Sequence, residues 1–152
     1  MSNAKTASGR KPAHKRLEIL IGTWNTTGEI KATDDSPAMT LLATDTYEWL
    51  PGGFFMLHSA DARMGGNPSR SIEIIGYDAA SGDYVTRSYD DQGGSDAFTA
   101  SLKGRGWSID GEAARFRGSF NAAGSELKGK WERRSKSGDW LPWMKIKLTK
   151  SM

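Results

Sequence analysis

His58 is the residue of this chain best placed for acid–base or ligand chemistry. The sequence holds two histidines, His14 and His58, and no cysteine. His14 sits beside a basic N-terminal stretch. His58 ends the run Phe54-Phe55-Met56-Leu57-His58, and in an extended chain it shares a face with Phe54 and Met56. If that face points inward, the imidazole lines an apolar cavity. There it can hold a ligand carboxylate, ligate haem iron through nitrogen, or serve as a hydrogen-bonded structural histidine. The residue types alone leave all three open.

Arg87 is the second candidate. It lies between Val85 and Tyr89 on one face of the extended segment Tyr84 to Asp90. An inward guanidinium requires an acidic partner or an anionic head group, because an unpaired buried charge is costly. An outward one is an ordinary solvated arginine. Arg115 and Arg117 flank Phe116, so they share the opposite face and are expected to point outward. The aromatic residues Tyr47, Trp49, Tyr77, Tyr89, Trp107, Trp131 and Trp143 either wall a small-molecule pocket or pack as core. Trp140 and Trp143 cannot share a strand face, so one of them belongs at the surface or at a barrel mouth. The candidate ligand-binding set is Tyr47, Trp49, His58, Tyr77, Arg87 and Tyr89.

Other chemistries lack their parts. Without cysteine there is no thiolate nucleophile and no disulfide. No Gly-x-Ser-x-Gly elbow occurs. No histidine or carboxylate cluster has metal-ligand spacing. Asp34-Asp35 and Asp90-Asp91 fall in turn-like segments and read as turn residues. Gly65-Gly66-Asn67 has neither a following helix nor a Lys-Ser/Thr pair, so it is a hairpin turn and not a phosphate loop. No catalytic residue, metal site or cofactor is assigned.

Charge is unevenly spread. The net charge is +3 over 152 residues, with a pI of 9.2. Residues 1–16 carry five basic side chains and no acid, residues 17–127 carry 8 basic and 16 acidic, and residues 128–152 carry 8 basic and 2 acidic. The acidic middle would repel nucleic acid, so none is expected as a partner. No apolar run approaches the ~20 residues of a membrane helix. The leader MSNAKTASGRKPAHKR lacks the apolar middle of a signal peptide. A cytoplasmic protein without a membrane span is expected.

The elements that must position these residues are mostly strands. Strand-like runs recur about every ten residues, separated by Pro51-Gly52-Gly53, Gly65-Gly66, Gly82-Asp83, Gly93-Gly94, Gly104, Gly111, Gly124 and Gly138-Asp139. About ten strands result, and such even spacing marks an antiparallel barrel or sandwich. Met144, Ile146 and Leu148 alternate with Lys145, Lys147 and Thr149, and Leu41, Ala43, Asp45, Tyr47 and Trp49 share a face. Tyr84 to Asp90 is polar on both faces, which suits a barrel with a partly wet interior better than a sandwich core. One short helix is expected over Ala13 to Leu20, ended by Gly22. The expected organisation is a basic tail over residues 1–13 and one domain over residues 14–152.

A short helix followed by Gly22-Thr23-Trp24 at the first strand resembles the calycin superfamily of lipocalins and fatty-acid-binding proteins. Trp49-Leu50-Pro51-Gly52-Gly53-Phe54-Phe55, Met64-Gly65-Gly66, Gly76-Tyr77-Asp78, Trp131-Glu132 and Trp140-Leu141-Pro142-Trp143-Met144 extend the likeness, which is similar to a family of small bacterial lipocalin-like proteins of unknown function. The resemblance implies an all-β, ten-stranded barrel whose closed end is plugged by the helix. It implies that Trp24 is a core residue there, crossed by a late-strand base: Lys145, Lys147 or Arg133. It implies an internal cavity and no established reaction. Some relatives hold haem on a late-strand histidine; no histidine follows His58 here.

The function expected is binding of a small apolar or amphipathic ligand inside the barrel. The alternatives are a haem barrel using His58, and a filled structural barrel that forms a homodimer along an exposed aromatic face.

Overall fold

The computed structural model describes residues 9–151. A five-residue helix, α1 (Pro12–Arg16), runs into a 3-10 turn over Leu17–Leu20. Proline in the first helical turn has the right φ and lacks only an N–H that would be unpaired anyway. The His14 Nδ1 accepts the Lys11 amide N–H at 2.8 Å. Burial and the nearby Arg10 charge lower the His14 pKa, which keeps the ring neutral for that acceptor role. The helix thus starts one residue before the expected Ala13, and its last turn tightens to 3-10. Of the expected tail, residues 1–8 lie outside the described residues.

Ten strands follow: β1 (Gly22–Ile30), β2 (Met39–Trp49), β3 (Phe55–Met64), β4 (Asn67–Asp78), β5 (Asp83–Asp90), β6 (Ser95–Lys103), β7 (Gly106–Asp110), β8 (Ala114–Phe120), β9 (Glu126–Arg134) and β10 (Trp140–Lys150). Each pairs antiparallel with its neighbour in sequence, and β1 also pairs with β10, closing the barrel. Closure leaves no unpaired sheet edge. The β3–β4 hairpin shows how local sequence sets register. Gly65 and Gly66 both take positive φ, +59° and +88°, the primed turn that glycine adopts without strain. That turn makes Met64 and Asn67 the last pair of the ladder.

Trp24 has no exposed surface. Around it, Leu17 and Leu20 from the 3-10 turn meet Trp107 and Phe120 in the larger of two apolar clusters. The Trp24 Nε1 donates to the Leu20 carbonyl (2.8 Å), and the Tyr84 hydroxyl donates to the Ala13 carbonyl (2.7 Å). These bonds tie α1 and the 3-10 turn across one end of the barrel as a plug. A smaller cluster around Ile30, Leu41 and Ala62 lies toward the other end.

The base over Trp24 is Lys150, not Lys145, Lys147 or Arg133. Its ammonium lies 4.9 Å from the indole centroid and donates to the Ile19 carbonyl at 3.3 Å. The reason is register: Trp24 pairs directly with Lys150, whereas Lys147 and Lys145 stand opposite Thr27 and Glu29 and are exposed. Arg133 pairs with Leu141 and Ala114, at the far end of β9. Among the described residues no helix is long and apolar enough to cross a membrane.

Candidate functional site

Above the plug the barrel encloses a cavity of about 360 Å³. Most of its wall is apolar: Leu41, Ala62, Ile109, Phe116, Trp131 and Ile146 are representative. Phe116 can lie flat against the wall because Gly118 and Gly129 beneath it lack side chains. A Cβ on Gly118 would lie 2.6 Å from the Phe116 ring. Glycine here is therefore a matter of close approach.

One side of the cavity is polar, and strand register lines it up. Tyr47 pairs with His58, His58 with Glu73, Glu73 with Ser88, and Ser88 with Asp96. Five consecutive strands, β2 to β6, thus each present one residue at the same level, and all five line the cavity. Asp96 is exposed, so the cavity meets solvent at that end of the row.

His58 is held from both sides. Its Nε2 lies 2.7 Å from Asp45 Oδ1 and its Nδ1 lies 2.9 Å from Glu73 Oε1. Thr26 donates its hydroxyl proton to the other Asp45 oxygen. The Tyr47 ring stacks on the imidazole, centroids 4.0 Å apart and planes 10° from parallel. His58 is 17% exposed, Asp45 10% and Glu73 16% at the side chain. Burial by itself would lower the His58 pKa. The hydrogen bonds to Asp45 and Glu73, and their negative charges, outweigh it and raise the value to about 9. At neutral pH His58 is an imidazolium donating from both nitrogens, and the Asp45–His58–Glu73 cluster carries one net negative charge. Burial, then the charges of Asp45 and Glu73, push the Tyr47 phenol well above its usual pKa, so it stays neutral.

This arrangement limits the chemistry. In a hydrolytic triad the hydroxyl bonds the imidazole, which takes its proton. Here the hydroxyl bonds the carboxylate, and the imidazole is already protonated. Haem does not fit His58 either, because both ring nitrogens are engaged by carboxylates and neither presents a lone pair to iron. Among the described residues no group of three His, Cys, Asp or Glu side chains could hold a metal ion.

The six candidate site residues are dispersed. Tyr47 and His58 line the cavity. Trp49 and Tyr77 pack against the plug-end cluster; Arg10 lies over Trp49 at 4.6 Å, and Tyr77 meets His14 edge-on at 5.7 Å. Arg87 and Tyr89 are on the outside. The inward residues of β5 are Tyr84, Thr86 and Ser88, so alternation turns Arg87 and Tyr89 to solvent. Arg115 and Arg117 also face out, on Glu132 and Asp110. Trp143 lines the cavity, helped by a register shift between Pro142 and Met144; Trp140 lies under the Arg115 and Arg134 guanidiniums.

Sequence reasoning passed over Thr26, Asp45 and Glu73. A signal for Glu73 was present. With Met64 and Asn67 closing a two-residue turn, the residue six before Met64 faces the residue six after Asn67, and these are His58 and Glu73. Asp45 stood on the inward face of its strand, but only the β2–β3 register brings it to the imidazole.

The family described as "Protein of unknown function (DUF1579)" matches residues 10–150. The chain belongs to that family. No curated protein matches it. Among solved structures, Rv2717c from M. tuberculosis is similar over 93% of this chain and 99% of its own, with 15% identity and a TM-score of 0.68. The S-type phycobiliprotein lyase CPES from Guillardia theta is similar over 99% of both chains, with 9% identity and a TM-score of 0.56. At these identities the likeness is one of fold. That fold is the closed ten-stranded antiparallel barrel.

Proposed function

We propose that this DUF1579 member binds a small amphipathic molecule inside its barrel. What supports the reading is the cavity of about 360 Å³, a size used by small-molecule sites. A purely structural barrel would fill that space with side chains, as interiors pack to crystal-like density. Apolar walls would take the body of the ligand, and the polar row from Tyr47 to Asp96 would face its polar end. The clamp of Asp45 and Glu73 would keep the imidazole from turning, so its orientation costs nothing at binding. The role proposed is binding.

The test is native mass spectrometry of protein taken directly from expressing cells, with titration of the neutral fluorescent probe N-phenyl-1-naphthylamine. The expected result is an added mass that leaves on denaturation, or probe binding, with both lost in Ala62→Trp, which fills the cavity from β3. An unliganded mass together with no probe binding overturns the reading.

A further inference from the structure

Resting on that reading, we propose that the ligand is an organic cation, an apolar body bearing an amine or quaternary ammonium group, seated between the Glu73–Ser88–Asp96 end of the polar row and the aromatic wall beside it. Three observations carry this.

The first is charge. The cavity lining contains three carboxylates (Asp45, Glu73 and Asp96), one imidazolium (His58) and no lysine or arginine. The His58 charge is already shared by Asp45 and Glu73, each of which accepts a hydrogen bond from it. A fatty carboxylate entering this space would meet net negative charge, with no lysine or arginine in the lining to pair with it. A positive group would meet the reverse. The preference is strong because charges interact more in a partly buried site than in bulk water.

The second is the placement of the acids. Glu73 and Asp96 flank Ser88 as direct cross-strand partners on either side. Two strand spacings separate them, about 10 Å, leaving room for a head group over the serine. His58 takes one oxygen of Glu73. Ser88 adds a neutral acceptor.

The third is the neighbouring wall. Phe98 follows Asp96 by two residues on the same inward face of β6 and also lines the cavity. It meets Trp131 at 6.3 Å, and Trp131 meets Phe116 at 5.4 Å and Trp143 at 6.3 Å. Aromatic faces beside carboxylates are the chemistry by which proteins hold ammonium groups. In the same row, Tyr47 is buried, lines the cavity and keeps its hydroxyl out of any hydrogen bond among the described residues. It offers a further dipole to a polar ligand.

The experiment compares three probes with one alkyl chain, each below its micelle concentration: octyltrimethylammonium, octan-1-ol and octanoate. Binding is read by tryptophan fluorescence and calorimetry. The expected order is ammonium, then alcohol, then carboxylate, with the first step about tenfold. Asp96→Asn, at the solvent end of the row, should weaken ammonium binding several-fold and leave octanol unchanged; Glu73→Gln should do the same if it folds. Octanol or octanoate binding as tightly as the ammonium overturns the cationic assignment while leaving a ligand-binding barrel. Ammonium preference unaffected by Asp96→Asn overturns the placement. Failure of all three probes overturns the cationic assignment, and together with an unliganded native mass it removes the binding reading itself.

Discussion

His58 and Glu73 are direct partners across the β3–β4 ladder, and their side chains meet at 2.9 Å between Nδ1 and Oε1. Asp45 closes on the other ring nitrogen from β2 at 2.7 Å. A histidine gripped on both sides by carboxylates is a charge held in place, and its protonation is part of the folding energy.

The stability of the barrel should therefore fall as pH rises through the mildly alkaline range. The folded pKa of His58 is raised to about 9 from the ordinary 6.5. A raised pKa means the folded state holds the proton more tightly. Its contribution is complete below pH 6.5 and is lost as pH climbs through 9. The size is about 3 kcal/mol, from the free energy attached to each pKa unit. Urea denaturation from pH 6 to 10 checks the slope, and histidine NMR titration checks the pKa. In His58→Gln the dependence on pH over this window should flatten. The same variant leaves Asp45 and Glu73 without their cation and should be destabilised by about 3 kcal/mol or more at pH 7.

Lys150 and Lys147 make a paired comparison on β10. Lys150→Met removes the ammonium over Trp24 and the bond to the Ile19 carbonyl, and should cost about 1 kcal/mol. Lys147→Met removes an exposed ion pair with Glu126 and should change stability by less than ~0.5 kcal/mol. Chemical denaturation midpoints separate the two. Equal effects would mean that the indole does not use its neighbouring charge.

Gly129→Ala tests the close approach that makes the cavity. A Cβ there would lie 2.6 Å from the Arg117 carbonyl oxygen and would overlap the Phe116 ring. Because backbone as well as side chain obstructs it, the substitution should cost about 1–3 kcal/mol. The ring can yield only inward, so affinity for N-phenyl-1-naphthylamine should drop as well. Denaturation and probe titration on the same variant check both effects.

Tyr84→Phe should loosen the plug without opening the barrel wall. It deletes the hydroxyl that donates to the buried Ala13 carbonyl at 2.7 Å, at a cost of about 1–2 kcal/mol. Hydrogen exchange should quicken at Leu17 and Leu20 more than at β-ladder amides such as Thr26. Uniform quickening would mean that the plug and barrel open together.

Much of the architecture was legible from local chemistry. Turn glycines placed the strands, alternation in Met144, Ile146 and Leu148 identified an inner face, and Gly22-Thr23-Trp24 marked the closed end; each signal is carried by residues a few positions apart. The two glycines at 65 and 66 even encoded the His58–Glu73 pairing, because a two-residue turn leaves no freedom of register. Other features were decided only when the sheet closed. Lys150 reaches Trp24 because β1 and β10, at opposite ends of the chain, pair in one register out of several that their patterns allow. Asp45 joins His58 through the β2–β3 register, set across a loop of residues 50–54 whose length does not dictate it. The direction of β5 was equally undetermined: with polar residues on both faces, its sequence did not say which would be inward, and the neighbouring strands turned Arg87 and Tyr89 out and Thr86 and Ser88 in. Local sequence thus determined the strands and their turns, while the ring of ladders decided which side chains share the interior, because a one-residue change in pairing exchanges the two faces of a strand.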